Sequence, residues 1–290
     1  MLVSVFILGV IAITAQTAFF REVLATFLGG ELTIGAALLF WLLWTSIGSG
    51  VFGKLVSRIK FPARWFHELL PWYGILGYIG ARVIRNMPFL AELTPGENVP
   101  YDLQIIAVCF AYLPFNILGG FLFVLGAKAI QHKNTPSTGR AYTLEALGSA
   151  AAGVIISLIL VTVLSNHSIA LVCPFIGITT GLLWKIRNSP PSGLFTLAIP
   201  LALLAVAIFG DSRVSGYYYS GQIFLEEIDT KYGRLRVTQK GEQTTFYSDA
   251  STLFSAPDTE TSEYTVHIPM LTAHYPIVSF SFINIAHLFI

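Results

Sequence analysis

The chain has 290 residues, of which 54% are hydrophobic and only 11% are charged, and its mean hydropathy is +0.69. Because a soluble domain carries about 25% charged residues, this composition excludes an ordinary soluble globular fold. The formal net charge of +1 gives no basis for binding nucleic acid.

The charge is unevenly distributed along the chain. Residues 1–210 contain twelve Lys or Arg and seven Asp or Glu, whereas residues 211–290 contain five and nine. This change predicts a multi-span membrane domain over 1–210 and a small β-rich soluble domain over 211–276. Residues 277–290 form an apolar tail that is too short to span a bilayer.

Seven apolar stretches predict a mainly α, polytopic helix bundle of about seven spans, since a helix needs about 20 mostly apolar residues to cross a bilayer. They are residues 2–20, 32–52, 69–83, 103–125, 142–164, 169–184 and 194–209. The third is the weakest, because it is short and contains Pro71. The first lacks a preceding basic region and a cleavage site, so we expect a retained helix and not a cleaved signal.

The links between these stretches predict an orientation in the cell (inner) membrane. Nine Lys or Arg follow the second, fourth and sixth stretches, and three follow the first, third and fifth. The positive-inside tendency then places the N-terminus in the cytoplasm and the C-terminal domain outside. Losing one span would reverse this orientation. The bilayer is thus the first expected partner. The small-residue spacing of Gly148 and Ala152 predicts close helix packing within the bundle, with a homo-oligomer interface as the alternative.

Polar residues within the apolar stretches are functional candidates, because they are costly in lipid. They are Gln16, Arg21, Glu22, Asn116 and Glu145. Arg21 and Glu22 suit either an interfacial ion pair or a functional role. For Glu145, a position near the headgroups and a role in binding or proton relay both remain open. The two cysteines, Cys109 and Cys173, lie in apolar runs and are expected to be free thiols.

In the predicted soluble domain over 211–276, hydrophobic residues follow a strand-like period, with β-branched and aromatic residues in partial alternation. The predicted strands are residues 217–226, 234–239 and 243–248. Lys240-Gly241 suits the turn between the last two. Asp258 is the expected N-cap of a helix over 259–274. On that helix Glu263 and His267 are four residues apart, which suits either a solvated face or a metal or polyamine contact, and no metal motif is present.

Residues 226–238, 246–250 and 267–276 resemble the entry strands and first helix of the spermidine synthase family. The N-terminal half is similar to the membrane-fused branch of that family, in a Gln-x-x-x-x-Arg-Glu-like helix end (Gln16, Arg21, Glu22) and a Gly-Arg-Ala-Tyr-x-x-Glu entry at 139–145. The resemblance implies a small cationic substrate and decarboxylated S-adenosylmethionine as donor. It implies substrate contacts by residues at five matching positions: Tyr232, Asp249, Asp258, Glu263 and His267.

The departures from the family pattern are specific. The position of the donor-binding glutamine is Gly233, and the Tyr-His-Glu triplet reads Thr261-Ser262-Glu263. The residues after Pro276 contain no glycine and no acidic residue, so the expected donor-binding loop is absent from this chain. We therefore predict a truncated relative with no cofactor, no catalytic residue and no aminopropyl transfer. An extracytoplasmic sheet would also be separated from a donor made in the cytoplasm.

Two other functional hypotheses follow from the same residues. The chain could be a membrane transport or small-molecule-binding protein whose β-rich part acts as a lid. It could also be an inactive gene fragment. Transport would use the polar residues within the spans, whereas the synthase hypothesis would use the soluble part.

Overall fold

The computed structural model describes residues 1–131, 137–188, 198–218, 221–258 and 263–264. This part of the chain is mainly helical, with a small antiparallel sheet after the helices. The long helices are α1 (Leu2–Phe27), α2 (Glu31–Val56), α3 (Pro62–Arg85), α4 (Tyr101–Ala129), α5 (Thr138–Val163), α6 (Asn166–Asn188) and α7 (Ala198–Tyr218). Helices α2 and α5 each contain a π-helical turn, Gly48–Phe52 and Ile156–Leu160.

Within the described ranges, five helices are long and apolar enough to cross a membrane, namely α1, α2, α4, α5 and α6. This confirms a helical protein suited to a membrane. Each of the seven predicted stretches overlaps one helix. Helices α3 and α7, however, are not among those long and apolar enough to cross a membrane. Helix α3 runs unbroken through Pro71, and α7 continues to Tyr218, beyond the predicted boundary at residue 210.

The bundle core is built from three close helix pairs, α1 with α5, α2 with α4 and α3 with α6. At the first crossing a Cβ on Gly148 would lie 2.0 Å from the Phe6 carbonyl oxygen, so only glycine permits this approach. The Ser149 hydroxyl donates to the Gly9 carbonyl at 3.1 Å in the same crossing. The predicted small-residue packing on α5 is therefore confirmed.

The helix ends lie at two opposite faces of the bundle. At one face the Lys128 ammonium, near the end of α4, donates to three carbonyls that follow or end α2. These are Val56, Ser57 and Ile59, at 2.7, 3.0 and 2.9 Å. Carbonyls at the end of a helix lack hydrogen-bond donors within the helix. The Lys128 ammonium supplies these donors and thereby fixes the α2–α3 link.

The sheet lies at the other face and has the order β1-β2-β3-β4, all antiparallel. Its strands are β1 (Ile223–Asp229), β2 (Arg234–Lys240), β3 (Gln243–Ser248) and β4 (Ser251–Ala256). The Lys240-Gly241 turn is confirmed, since Lys240 pairs with Gln243 and Gly241 has a φ of 63°. The sequence prediction placed the first strand too early and missed β4. Residues 217–218 instead end α7.

Candidate site between the helix bundle and the sheet

A buried carboxylate, Glu22 of α1, joins the bundle to the sheet. Its side chain has no exposed surface, and both its oxygens accept from the Arg234 Nη2 of β2 at 3.0 Å. Asn166 at the start of α6 donates to the same carboxylate at 2.8 Å, and the Arg82 guanidinium lies 3.6 Å away. Glu22 therefore pairs across 212 residues of sequence and not with its neighbour Arg21.

A second carboxylate, Glu227 of β1, is shared by arginines from both parts. Arg85 of α3 and Arg236 of β2 donate to it, at 2.5 and 2.7 Å. Burial disfavours the charged form, but the charges of Arg85, Arg234 and Arg236 outweigh burial and lower the pKa of Glu227 to about 2. Glu227 is therefore ionised throughout the physiological range.

The strand register places these charges opposite one another. Glu227 faces Arg236 and Asp229 faces Arg234 across the β1–β2 ladder. Arg234 Nε donates to Asp229 at 2.7 Å, and the surrounding carboxylates raise the pKa of Arg234 despite its complete burial. The other Asp229 oxygen accepts the Asn166 backbone N–H at 2.8 Å, which places a negative charge at the N-terminus of α6.

We call these eight residues the junction network: Glu22, Arg82, Arg85, Asn166, Glu227, Asp229, Arg234 and Arg236. Sequence reasoning found only Glu22 among them. The available signal was the alternation of acids on β1 and of arginines on β2, because residues two apart share one face of a strand. The last turn of α3 carries Arg82 and Arg85, which face the carboxylates of the junction network.

Beside the junction network is a cavity of about 200 Å³, which we call the junction cavity. Residues from α1, from the α3–α4 connection and from the sheet line it together. The polar lining is Thr26, Arg85, Asn86, Glu227, Arg236, Tyr247 and Asp249. Its position between two structural units is one where small-molecule sites often occur, and its volume suits only a small ligand.

Asp249 occupies the turn between β3 and β4 and lies in the wall of the junction cavity. It adopts a left-handed conformation with a φ of 54°, which aspartate tolerates better than most residues. One carboxylate oxygen accepts the Arg234 backbone N–H at 2.8 Å. Among the described residues no cationic side chain pairs with it, whereas Glu227 in the same wall is shared by two arginines.

Gly233 lies directly against Asp249. A Cβ at position 233 would come within 2.7 Å of an Asp249 carboxylate oxygen, so a larger residue there requires that carboxylate to move. The family's donor-binding glutamine therefore has no room at this position while Asp249 keeps its hydrogen bond to β2.

A smaller cavity of about 60 Å³ shares Asp249 with the junction cavity and is also lined by Arg21, Asn166 and Tyr232. Arg21 donates to the Thr230 carbonyl at 3.0 Å and so holds the β1–β2 turn on α1. Tyr232 in that turn is 87% exposed, with the Lys231 ammonium 4.7 Å from its ring centre. The structure thus brings together Tyr232 and Asp249 of the five substrate residues implied by the resemblance.

Two of the other implied substrate residues, Asp258 and Glu263, are described and line neither of these cavities. Asp258 is half-buried after β4, and Glu263 is exposed. His267 falls outside the described residues, as do most of the predicted helix over 259–274 and the tail over 277–290. In the described part of the chain, no three His, Cys, Asp or Glu side chains form a group that could hold a metal ion.

The polar residues predicted within the spans have separate surroundings. Asn116 donates to the Tyr112 carbonyl one turn earlier at 2.8 Å, which is a local helix contact. Gln16 is buried, and its amide nitrogen has no hydrogen-bond partner among the residues described. Glu145 is half-buried near the start of α5, at the face opposite the sheet. Both cysteines are free thiols, as predicted.

Comparisons of the chain with protein-family models, curated proteins and solved structures gave no match. The resemblance to the spermidine synthases therefore stays a prediction that rests on the quoted residues alone.

Proposed function

We propose that this chain is a multi-pass membrane protein that binds a small cationic molecule between its helix bundle and its sheet, which acts as a lid. The observation that carries the proposal is the junction cavity, whose wall is supplied by both parts. The junction network fixes the sheet over this space through buried ion pairs. Such contacts give the site a defined shape before a ligand enters.

One carboxylate of the cavity wall, that of Asp249, is placed to pair with a cation. The wall contains two arginines and two carboxylates, and both Arg85 and Arg236 donate to Glu227. Asp249 alone has no cationic side chain paired with it among the described residues of the wall. A primary or secondary amine could donate a charge-assisted hydrogen bond to its carboxylate.

Spermidine is the probe for this site, and thermal unfolding of the detergent-solubilised protein is the measurement. Spermidine should raise the melting temperature of the parent, because a ligand that binds only the folded state stabilises it. The Asp249→Asn variant should lose most of this rise, while Asp102→Asn, at an exposed aspartate of α4, should keep it. An equal rise in all three proteins would refute the assignment of Asp249.

We keep the relation to membrane-fused spermidine synthases as a second proposal, on the strength of the adjacency of Tyr232 and Asp249. Aminopropyl transfer is not expected from this chain, because Gly233 replaces the donor-binding glutamine and is packed against Asp249. Incubation of the purified protein with putrescine and decarboxylated S-adenosylmethionine tests this expectation. Formation of spermidine above a no-protein control would overturn it.

We further propose seven spans in the cell (inner) membrane, with the N-terminus in the cytoplasm and the sheet outside. The alternation of helix ends supports this topology: the ends of α1 and α3 meet the sheet, and the end of α2 meets Lys128 at the opposite face. A cysteine at exposed Glu242 should react with a membrane-impermeant maleimide in intact cells. Labelling only after cell lysis would place the sheet in the cytoplasm instead.

A further inference from the structure

At the bundle face opposite the sheet, the α2–α3 link carries a basic and aromatic surface. We call it the basic link. It comprises the α2–α3 connection and the helix turns beside it, and its residues are Lys54, Arg58, Lys60, Phe61, Arg64 and Trp65. All six side chains are exposed, with Phe61 68% and Trp65 52% exposed. Residues 48–67 contain these four cations and no acidic residue.

The basic link has no balancing charge within the described part of the chain. None of its four cations forms an ion pair with a described carboxylate, and the nearest acidic residue in sequence, Glu68, pairs with Lys185 at 2.7 Å. Four exposed cations without carboxylates produce a local positive potential that attracts anionic partners.

The position and the aromatic residues identify the kind of partner. The link directly follows α2, one of the helices suited to crossing a membrane, so it lies where such a helix leaves the hydrocarbon. Phe61 and Trp65 are four residues apart and point their apolar surface outward beside the cations. Exposed aromatic rings beside basic residues are typical of contact with the interfacial layer of a bilayer.

The link is also held in a fixed conformation. Lys128 donates to the carbonyls of Val56, Ser57 and Ile59, which flank Arg58. Arg58 and Lys60 are therefore presented on a supported loop, and less conformational entropy is lost when they contact a charged surface.

We propose that the basic link binds the headgroups of anionic phospholipids, with Phe61 and Trp65 inserted between them. This site is separate from the junction cavity, so it does not depend on the proposed ligand there. A polybasic surface gains affinity for each cation near anionic lipid and loses that gain as salt increases.

Native mass spectrometry of the full chain in detergent, with equal phosphatidylglycerol and phosphatidylcholine, tests this proposal. The parent should retain phosphatidylglycerol preferentially, and the Arg58→Gln/Lys60→Gln variant should reduce that preference by about tenfold. The control Lys231→Gln/Lys240→Gln removes two cations from the sheet and should keep the preference. An unchanged preference in the first variant, or an equal loss in the control, would overturn the proposal.

A second measurement separates lipid contact from a folding defect. Brominated phosphatidylglycerol in vesicles should quench the fluorescence of Trp65, and a Trp65→Phe variant should lose that part of the quenching. The Arg58→Gln/Lys60→Gln variant should keep its melting temperature within about 2 °C, since exposed substitutions rarely change stability by more than about 0.5 kcal/mol. Quenching that is identical in the parent and in Trp65→Phe would refute the contact.

Discussion

The substitution Glu22→Gln tests whether the junction network holds the sheet on the bundle. The parent carboxylate accepts two bonds from Arg234 at 3.0 Å and one from Asn166 at 2.8 Å, with no exposed surface. Breaking a buried ion pair costs about 3–5 kcal/mol. Since glutamine keeps one acceptor oxygen and the shape, we expect a loss of about 2–3 kcal/mol from the docking of the sheet.

Trypsin cleavage after Arg234 and Arg236, followed by mass spectrometry of the peptides, reports the docked state, because these two side chains of β2 are only 1% and 14% exposed. When opening is fast, cleavage follows the population of the open form. A loss of about 2–3 kcal/mol should therefore accelerate cleavage by about 30- to 150-fold. Tryptophan fluorescence should change little, since all five tryptophans belong to the helical part.

Glu31→Gln is the matched control, because Glu31 is exposed at the start of α2 on the same face of the bundle. Its cleavage rate should equal that of the parent. If Glu22→Gln were cleaved within threefold of the parent rate, the ion pairs would not be what holds the sheet in place.

Three further predictions concern packing, pH and the end of α2. Gly148→Ala should lower the melting temperature by several degrees, because its Cβ would meet the Phe6 carbonyl at 2.0 Å, whereas Gly35→Ala, with open space around it, should not. Because the pKa of Glu227 is held at about 2, below its value near 4.3 in the unfolded chain, its contribution to docking is present above pH 4.3 and lost as pH falls through 2. Energy transfer from the tryptophans to a dye at Glu242→Cys should thus stay constant from pH 7 to 5 and fall towards pH 2, and a fall complete by pH 5 would contradict this. Lys128→Met should lower the free energy of unfolding by about 1–3 kcal/mol through the loss of three carbonyl contacts, while Lys54→Met, at an exposed site, should leave chemical denaturation unchanged.

The helices were predictable because long apolar runs carry their own signal, and each predicted stretch coincides with a helix. The sheet was less predictable: β4 was missed, because Ser251–Ala256 mixes small polar and apolar residues without clear alternation. The Lys240-Gly241 turn was predictable from local chemistry alone.

The junction network was not predictable in the same way, because its pairs join residues far apart in the chain. Arg21 and Glu22 are adjacent in sequence, which suggests an ion pair. In the structure Arg21 instead donates to the Thr230 carbonyl, and Glu22 accepts from Arg234. Asp249 was identified through the resemblance, but its lack of a cationic partner depends on how the arginines distribute among the other carboxylates. Which arginine pairs with which carboxylate can be determined only from the three-dimensional structure.

The pairing of Glu22 with Arg234 also sets an order of events during synthesis. Glu22 is made 212 residues before Arg234, which corresponds to about 10–40 s of translation at 5–20 residues per second. During that interval Arg82, which lies 3.6 Å from Glu22 in the final structure, is the earlier of its two arginine partners to emerge. The carboxylate therefore gains its main partner only when β2 has been made, and a chain arrested before β2 would leave Glu22 without Arg234.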